Sequence, residues 1–363
     1  MKIAIIAKNS NVLPSPKTGT WAPGVVMWNE ARILTKRNHD VRVYCAKGSQ
    51  VEGEIIDFDM PSFFDAHQDV EPVQKSIRLP FYSNIYQYKV IEHLRANPVD
   101  IIHLHDFRDY PFYKNANLNI PILVTIHGDF YQNFNQIPDA IKSDMNDIPV
   151  IAIGDVIEIP DDINPPLVTI PNILELDRFK FIENPKKRLL FISRLIEEKG
   201  ADTAIKVADL VNMPIDLYGE MSGTDEWKKE LEKLIKNSQN ANYNGYLPHS
   251  DIAQAFDGKA LLFPLRSPEG FPSVVIESMV SGTPVIAYSI SGVREIIKDG
   301  INGFLIEPGN IEAMAEAIKK VDQIDRKKCR EYTLEKYNEL TIGNQLIETF
   351  EKAIENFKHN GTK

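Results

Sequence analysis

The chain has 363 residues, 43% hydrophobic and 25% charged, with a formal net charge of −10. That composition excludes a disordered chain, and at roughly 150 residues per domain it leaves room for two cores. Lys and Arg number 15 against 21 Asp and Glu up to residue 172, and 26 against 30 beyond it, so neither half offers the positive field that duplex nucleic acid or an anionic membrane draws on.

Short β-branched runs alternate with longer amphipathic stretches, the pattern of parallel sheets covered by helices. In the first half the runs Lys2 to Lys8, Asp40 to Ala46, Asp100 to Asp106, Pro121 to Gly128 and Pro149 to Asp155 predict strands, several nearly all apolar as doubly buried strands are. Val25 to Arg37 and Asn84 to Ala96 predict helices between them. A Pro- and Asn-rich segment, Asp161 to Pro185, precedes a second series: Arg188 to Arg194, Pro214 to Tyr218, Lys259 to Leu265, Pro284 to Tyr288 and Gly303 to Ile306. The break near 172 to 186 is read as a linker, giving an α/β chain of two doubly wound, Rossmann-like domains whose facing strand ends form a cleft. The boundaries are 1–172, 173–339 and a last helix in 340–363, with Leu346, Phe350, Ile354 and Phe357 at helical spacing.

No apolar run approaches the roughly 18 residues of a membrane span, and the five apolar residues between Lys2 and Lys8 are too few for a signal-peptide core. Cytoplasmic residence is the expectation, with peripheral membrane contact left open but not indicated. Cys45 and Cys329 lack a CxxC spacing and are expected as reduced, packed thiols.

The most informative stretch is Glu269-Gly-Phe-Pro-Ser-Val-Val-Ile-Glu277 and its sequel Gly282-Thr283-Pro284-Val285. Glu269 falls in a strand-to-helix loop and Glu277 on the following helix, which Pro272 helps to start. Two carboxylates at a strand's C-terminal end can each accept hydrogen bonds from vicinal hydroxyls of a sugar or a ribose. Phe191-Ile-Ser-Arg194 to Lys199-Gly200 adds a guanidinium and, five residues on, an ammonium, which together can neutralise a departing diphosphate without a metal.

These segments resemble glycosyltransferase family 4, the group 1 glycosyl transferases, which are retaining enzymes of GT-B fold. Ile170-Pro171-Asn172 to Arg178-Phe179 is similar to the family's interdomain segment, with Ile173-Leu174-Glu175 where Gly-Val-Asp is usual. Gly292, Glu295, Asp299, Gly300 and Asn302-Gly303 follow the pattern after the signature. Thr125-Ile126-His127-Gly128 resembles the strand end that sets a histidine beside the donor sugar, and Gly24 the glycine whose amide approaches the transferred group. The resemblance implies a donor domain in the second half, an acceptor-side domain in the first, and a last helix that returns to the first. Arg194 and Lys199 would clamp the diphosphate, Glu269 would orient the hexose and Glu277 would hold the ribose. Gly270, Phe271, Ser273 and Val274 would contribute further donor contacts, and the backbone at Tyr246 and Leu247 would receive the base. The donor would be a UDP-, GDP- or ADP-sugar, the acceptor a hydroxyl, and no cofactor is expected. A single glycine at Gly24, and Glu220 after Gly219, depart from the family pattern.

Competing signals are weaker. Asp57-Phe58-Asp59 has the DxD form that holds a divalent metal in another glycosyltransferase fold, but it reads as a loop or edge strand. His103-Leu-His105-Asp106 puts two imidazoles on one strand face, as in metal-dependent hydrolases, yet reads better as a polar strand end on the acceptor side. No GxSxG or GxGxxG occurs, so serine hydrolases and dinucleotide oxidoreductases have no motif. The alternatives to a hexosyltransferase are a sugar-nucleotide epimerase or hydrolase on the same fold, or a sugar-binding module. A module has no use for a phosphate clamp.

Overall fold

The computed structural model describes residues 1–14, 22–128, 147–154, 168–248, 250–290 and 292–360. The chain divides into two compact units: described residues up to Leu174 with those from Glu339 onward, and Glu175–Asn338. Asp155 at the end of one expected strand, and residues 161–167 of the expected Pro- and Asn-rich segment, lie outside the described residues.

The first unit is built on β1 (Lys2–Ile6), β2 (Asp40–Tyr44), β3 (Glu54–Ile56), β4 (Ile101–Leu104), β5 (Ile122–Ile126), β6 (Val150–Ala152) and β7 (Val168–Thr169). They pair in parallel in the order β3-β2-β1-β4-β5-β6-β7. Ile3 stands opposite both Val41 and Ile101. The central strands are buried and mostly apolar, His103 on β4 and Thr125 on β5 excepted, because helices cover both faces: α1 (Ala22–Lys36), α3 (Pro72–Ala96) and the terminal helix Glu339–Asn360 are the long ones, α2 (Phe63–Ala66) and α4 (Tyr110–Asn115) the short ones. Tyr86, Val90, Ile91 and Leu94 seat the C-terminal third of α3 on Ile102, Leu104 and Val124 of the sheet. That helix begins at Pro72 rather than Asn84, despite Pro80 within it, which removes one main-chain hydrogen bond without ending the helix.

The terminal helix lies in the first unit, burying Ile342, Leu346 and Phe350. Arg32 on α1 donates to both carboxylate oxygens of Glu339, at 2.9 and 2.7 Å. Phe357, expected on the packed face, is instead exposed, because the buried stripe ends near Phe350. Cys45 and Cys329 are buried free thiols.

The second unit repeats the design with β8 (Leu189–Ile192), β9 (Ile215–Tyr218), β10 (Ala241–Tyr243), β11 (Ala260–Phe263), β12 (Val285–Tyr288) and β13 (Gly303–Ile306), all parallel, in the order β10-β9-β8-β11-β12-β13. Strands β3, β7 and β10 were not among those expected; each has two or three residues and sits at or beside a sheet edge. In each unit the winding reverses once, between β1 and β4 and between β8 and β11. At such a switch point adjacent strand-end loops part and leave a crevice at the C-terminal edge of the sheet, where open α/β sheets bind ligands.

Candidate active site

The crevice of the second unit is framed by the loops after β8 and β11, and these carry Arg194, Lys199 and Glu269. Two glycines hold the loops together. Gly200 has φ 75°, and a Cβ there would fall 2.3 Å from the Pro264 carbonyl oxygen, so only glycine lets the β8 loop lie against the end of β11. Gly292 has φ 83°, and a Cβ there would fall 1.8 Å from the carbonyl oxygen of Glu269, so the loop after β12 presses on Glu269 from the other side. Arg266 staples the same junction: its guanidinium donates to the Glu197 carbonyl at 3.0 Å, Asp202 at 2.6 Å and the Thr203 hydroxyl at 2.9 Å. The outcome is that Lys199 Nζ stands 2.5 Å from a carboxylate oxygen of Glu269, although 70 positions separate them. Arg194, five residues before Lys199, is exposed. Lys199 and Glu269 thus meet at this strand-end crevice, and Arg194 lies on the same loop as Lys199.

Glu277 lies on the helix Ser273–Val280 that follows the Glu269 loop, and it is buried. Burial raises its pKa from 4.5 to about 7, and the positive charge of Arg178 opposes this only in part. Gly270 and Phe271 in the loop, and Ser273 and Val274 in the helix's first turn, are half-buried between the two carboxylates in sequence. The Phe271 ring packs edge-on against Tyr337, with centroids 5.9 Å apart. Tyr246 and Leu247, also half-buried, follow β10, where the Gly219 amide donates to the Gly245 carbonyl at 2.8 Å. Every residue expected to touch the donor from this half therefore sits at or just beyond the C-terminal end of a strand, or on the helix that follows.

In the first unit, Gly24 is buried in the first turn of α1 and His127 directly follows β5. His127 belongs to a buried polar chain. Its Nε2 lies 2.8 Å from His105 Nδ1. His105 Nε2 lies 3.0 Å from a carboxylate oxygen of Glu30, at an angle poor for a hydrogen bond. The other Glu30 oxygen is 2.5 Å from His103 Nδ1, and His103 Nε2 is 2.8 Å from the Thr125 hydroxyl. Burial, then His105 and His103, hold the His127 pKa well below its ordinary value. The ring is neutral at physiological pH, able to position a hydroxyl but not to supply a cation. Burial likewise lowers the pKa of His105 against the pull of Glu30. Burial alone would raise the pKa of Glu30, but His103 and His105 together hold it well below the carboxylate range.

This chain corrects the expectation of a polar strand end on the acceptor side. The side chains of His103 and His105 are 1% and 3% exposed, turned inward because α1 presents a carboxylate to them. Glu30 escaped notice as a functional residue, yet the sequence carried a signal: it falls on the same face as Met27, Ala31 and Leu34, a charge on an apolar stripe. Arg266 carried no comparable signal, and Arg178 stood in the matched interdomain segment without a role assigned to it.

Among the described residues, Glu30, His103 and His105 are the three side chains grouped closely enough to hold a metal ion. Asp57 and Asp59 occupy a turn after β3 in which a carboxylate oxygen of Asp57 accepts from the Asp59 amide at 2.8 Å and Asp59 pairs with Lys47. The Phe58 ring between them packs near Tyr44 and Tyr86.

A family model described as glycosyl transferases group 1 matches residues 173–336, and one described as glycosyltransferase family 4 matches residues 23–147. The poly(ribitol-phosphate) alpha-N-acetylglucosaminyltransferase of Staphylococcus aureus is 30% identical over 200 residues, covering 50% of this chain and 40% of that protein. The structure of HepE from Anabaena in complex with UDP is similar with a TM-score of 0.74 at 18% identity, covering 97% of this chain and 100% of that one. Sucrose-phosphate synthase of Thermosynechococcus elongatus gives 0.75 at 17% identity, covering 97% and 98%. The chain spans about half or less of the length of the first curated relatives it matches, at 47%, 42% and 29%. No helix among the described residues is long and apolar enough to cross a membrane. With both halves matched and the GT-B fold in place, the chain belongs to the group 1, family 4 glycosyltransferases.

Proposed function

We propose that the protein moves a hexose from a nucleotide diphosphate sugar to an acceptor hydroxyl, with retention at the anomeric carbon and without a bound metal. The observation that carries this reading is the contact of Lys199 with Glu269 at the switch point of the second sheet, with Arg194 on the same loop as Lys199. As the bond to the anomeric carbon breaks, negative charge collects on the diphosphate, and Arg194 and Lys199 are fixed cations for it. Lys199 already holds Glu269, so the clamp and the hexose-orienting carboxylate share one position. Glu277 takes the ribose hydroxyls, and the half-buried backbone at Tyr246 and Leu247 takes the base. Gly24 and the neutral His127 act on the transferred sugar. UDP bound to HepE favours uridine over guanosine or adenosine as the donor nucleoside. Cytoplasmic residence accords with such a donor.

The test is turnover on a panel of UDP-sugars with and without alcohol acceptors, for the native chain and for Arg194→Ala and Lys199→Ala. Removing one preorganised donor from developing charge costs about 3 to 4 kcal/mol of barrier. Each variant should therefore lose about a hundredfold or more in kcat, with an unchanged melting temperature. Native rates in both variants would remove the phosphate assignment. Donor consumption that is indifferent to every acceptor would point to a hydrolase or epimerase on the same fold.

A further inference from the structure

The N-terminal two-thirds of α3 carries an apolar stripe that no described residue covers. Val73, Ile77, Phe81 and Tyr88 are each 63–69% exposed, and Ile85 is 38% exposed. Steps of four residues advance only about 40° around a helix, so these five side chains occupy an arc of about 120°. The helix is roughly 37 Å long at 1.5 Å per residue, and its fully buried side chains all lie between Tyr86 and Leu94. Ahead of them it is held mainly by Tyr82, whose ring packs edge-on against Phe63 and whose hydroxyl donates to the Pro61 carbonyl at 2.6 Å. Phe64, on the short helix beside it, is also exposed.

The charges flanking the stripe decide what it fits. From Pro72 to Ile91 the helix contains Lys75, Arg78 and Lys89 and no carboxylate, in a chain whose net charge is −10. Acidic residues appear only before it, at Asp65, Asp69 and Glu71, and beyond it, at Glu92. Arg78 and Lys89 fall on one edge of the apolar arc and are exposed. The balanced count over residues 1–172 hides this local excess. A second copy packed antiparallel on this face about a two-fold axis would bring the Arg78 and Lys89 edge against the same edge of its partner, a like-charge contact. An apolar stripe bordered by Lys and Arg is instead the form that lies in the plane of a bilayer interface, with aromatic and aliphatic side chains among the acyl chains and cations among the headgroups.

We propose that this face of α3 docks the protein on the surface of an anionic lipid bilayer. The claim goes beyond the sugar-transfer reading and stands or falls without it. The experiment is co-sedimentation of the full chain with vesicles of phosphatidylcholine alone or in equal mixture with phosphatidylglycerol. The native chain should bind the mixed vesicles about tenfold or more tightly than the neutral ones, and added salt should weaken the binding, since exposed charges are screened within about 8 Å at physiological ionic strength. Ile77→Ser with Phe81→Ser, and separately Arg78→Glu with Lys89→Glu, should each lower binding about tenfold or more while the melting temperature holds. Leu210→Ser, at an exposed apolar residue of the other unit, should bind as the native chain does. Equal binding to both vesicle types, no binding at all, or unaltered binding by the α3 variants would overturn the proposal. So would a concentration-dependent dimer in sedimentation velocity that the Ile77 and Phe81 double variant abolishes, because that would give the face to a second copy.

Discussion

Glu277 combines burial with a proposed role that requires its charge, and the conflict is measurable. Its pKa in the folded chain is about 7 against an ordinary 4.5, with burial the main cause. Between those values the folded state binds the proton that the unfolded state releases, so stability falls as pH rises from 4.5 to 7, and the full penalty remains above 7. At about 1.4 kcal/mol for each tenfold change in proton affinity, the penalty is about 3 kcal/mol. Glu277→Gln keeps the shape and removes the charge. Relative to the native chain it should gain about 3 kcal/mol between pH 4.5 and pH 8, which for a unit of this size is a melting-temperature gain of several degrees that shrinks towards acid pH. Because the two units can unfold separately, the transition to follow is the one that the substitution moves. Nucleotide binding should change in the opposite sense, since a diol donates well to a charged carboxylate and poorly to an amide. Affinity for a nucleotide sugar should thus improve with pH up to about 7 in the native chain and be weak and flat in the variant. Glu269→Ala should impair binding of the sugar-bearing donor while sparing the nucleoside diphosphate. A stability difference between Glu277→Gln and the native chain that is independent of pH would refute the desolvation account.

Two further predictions follow from the first unit. Turnover should persist in excess chelator, and Asp57→Ala and Asp59→Ala should be tolerated, because that turn adjoins the edge strand β3 and Asp59 is already neutralised by Lys47; loss of activity with chelator, restored by magnesium, would reopen the metal reading. Glu30→Ala should destabilise by about 3 to 5 kcal/mol at neutral pH, as expected when one partner of a buried charge pair is removed. Its folded pKa is depressed, so this contribution is present above the ordinary carboxylate pKa and fades as acidification passes below it. An unfolding midpoint unchanged by Glu30→Ala at pH 7 would mean that the histidine chain holds itself together without the carboxylate.

What the sequence disclosed and what it withheld divide along the range of the interactions involved. Buried parallel strands such as β8, β11 and β12 must be apolar on both faces, so each was legible as a short hydrophobic run. Their C-terminal ends then located Arg194, Lys199 and Glu269 by counting along the chain. Strands β3, β7 and β10 were not legible, because Glu54-Ile-Ile, Val168-Thr and Ala241-Asn-Tyr owe their extended form to pairing with a neighbouring strand rather than to their own composition. The N-terminal half of α3 was missed for a related reason. Its apolar residues face outward and Pro80 interrupts it, so neither a buried stripe nor an unbroken run of helix formers marked it.

The same distinction governs the site. The motifs placed each donor-side residue on its loop, but not the distance between loops, which Gly200 and Gly292 set through contacts with Pro264 and Glu269 far along the chain. Likewise His103 and His105 were visible as a pair on one strand face, while their partner Glu30 stood 73 positions earlier. Its presence converts two exposed candidate ligands into an enclosed chain ending at His127. In the folded chain the orientation of His103 and His105 depends on the carboxylate that α1 presents to β4. A substitution that loosens α1, such as one at Ala31 or Leu34, should therefore disturb His127 without touching it.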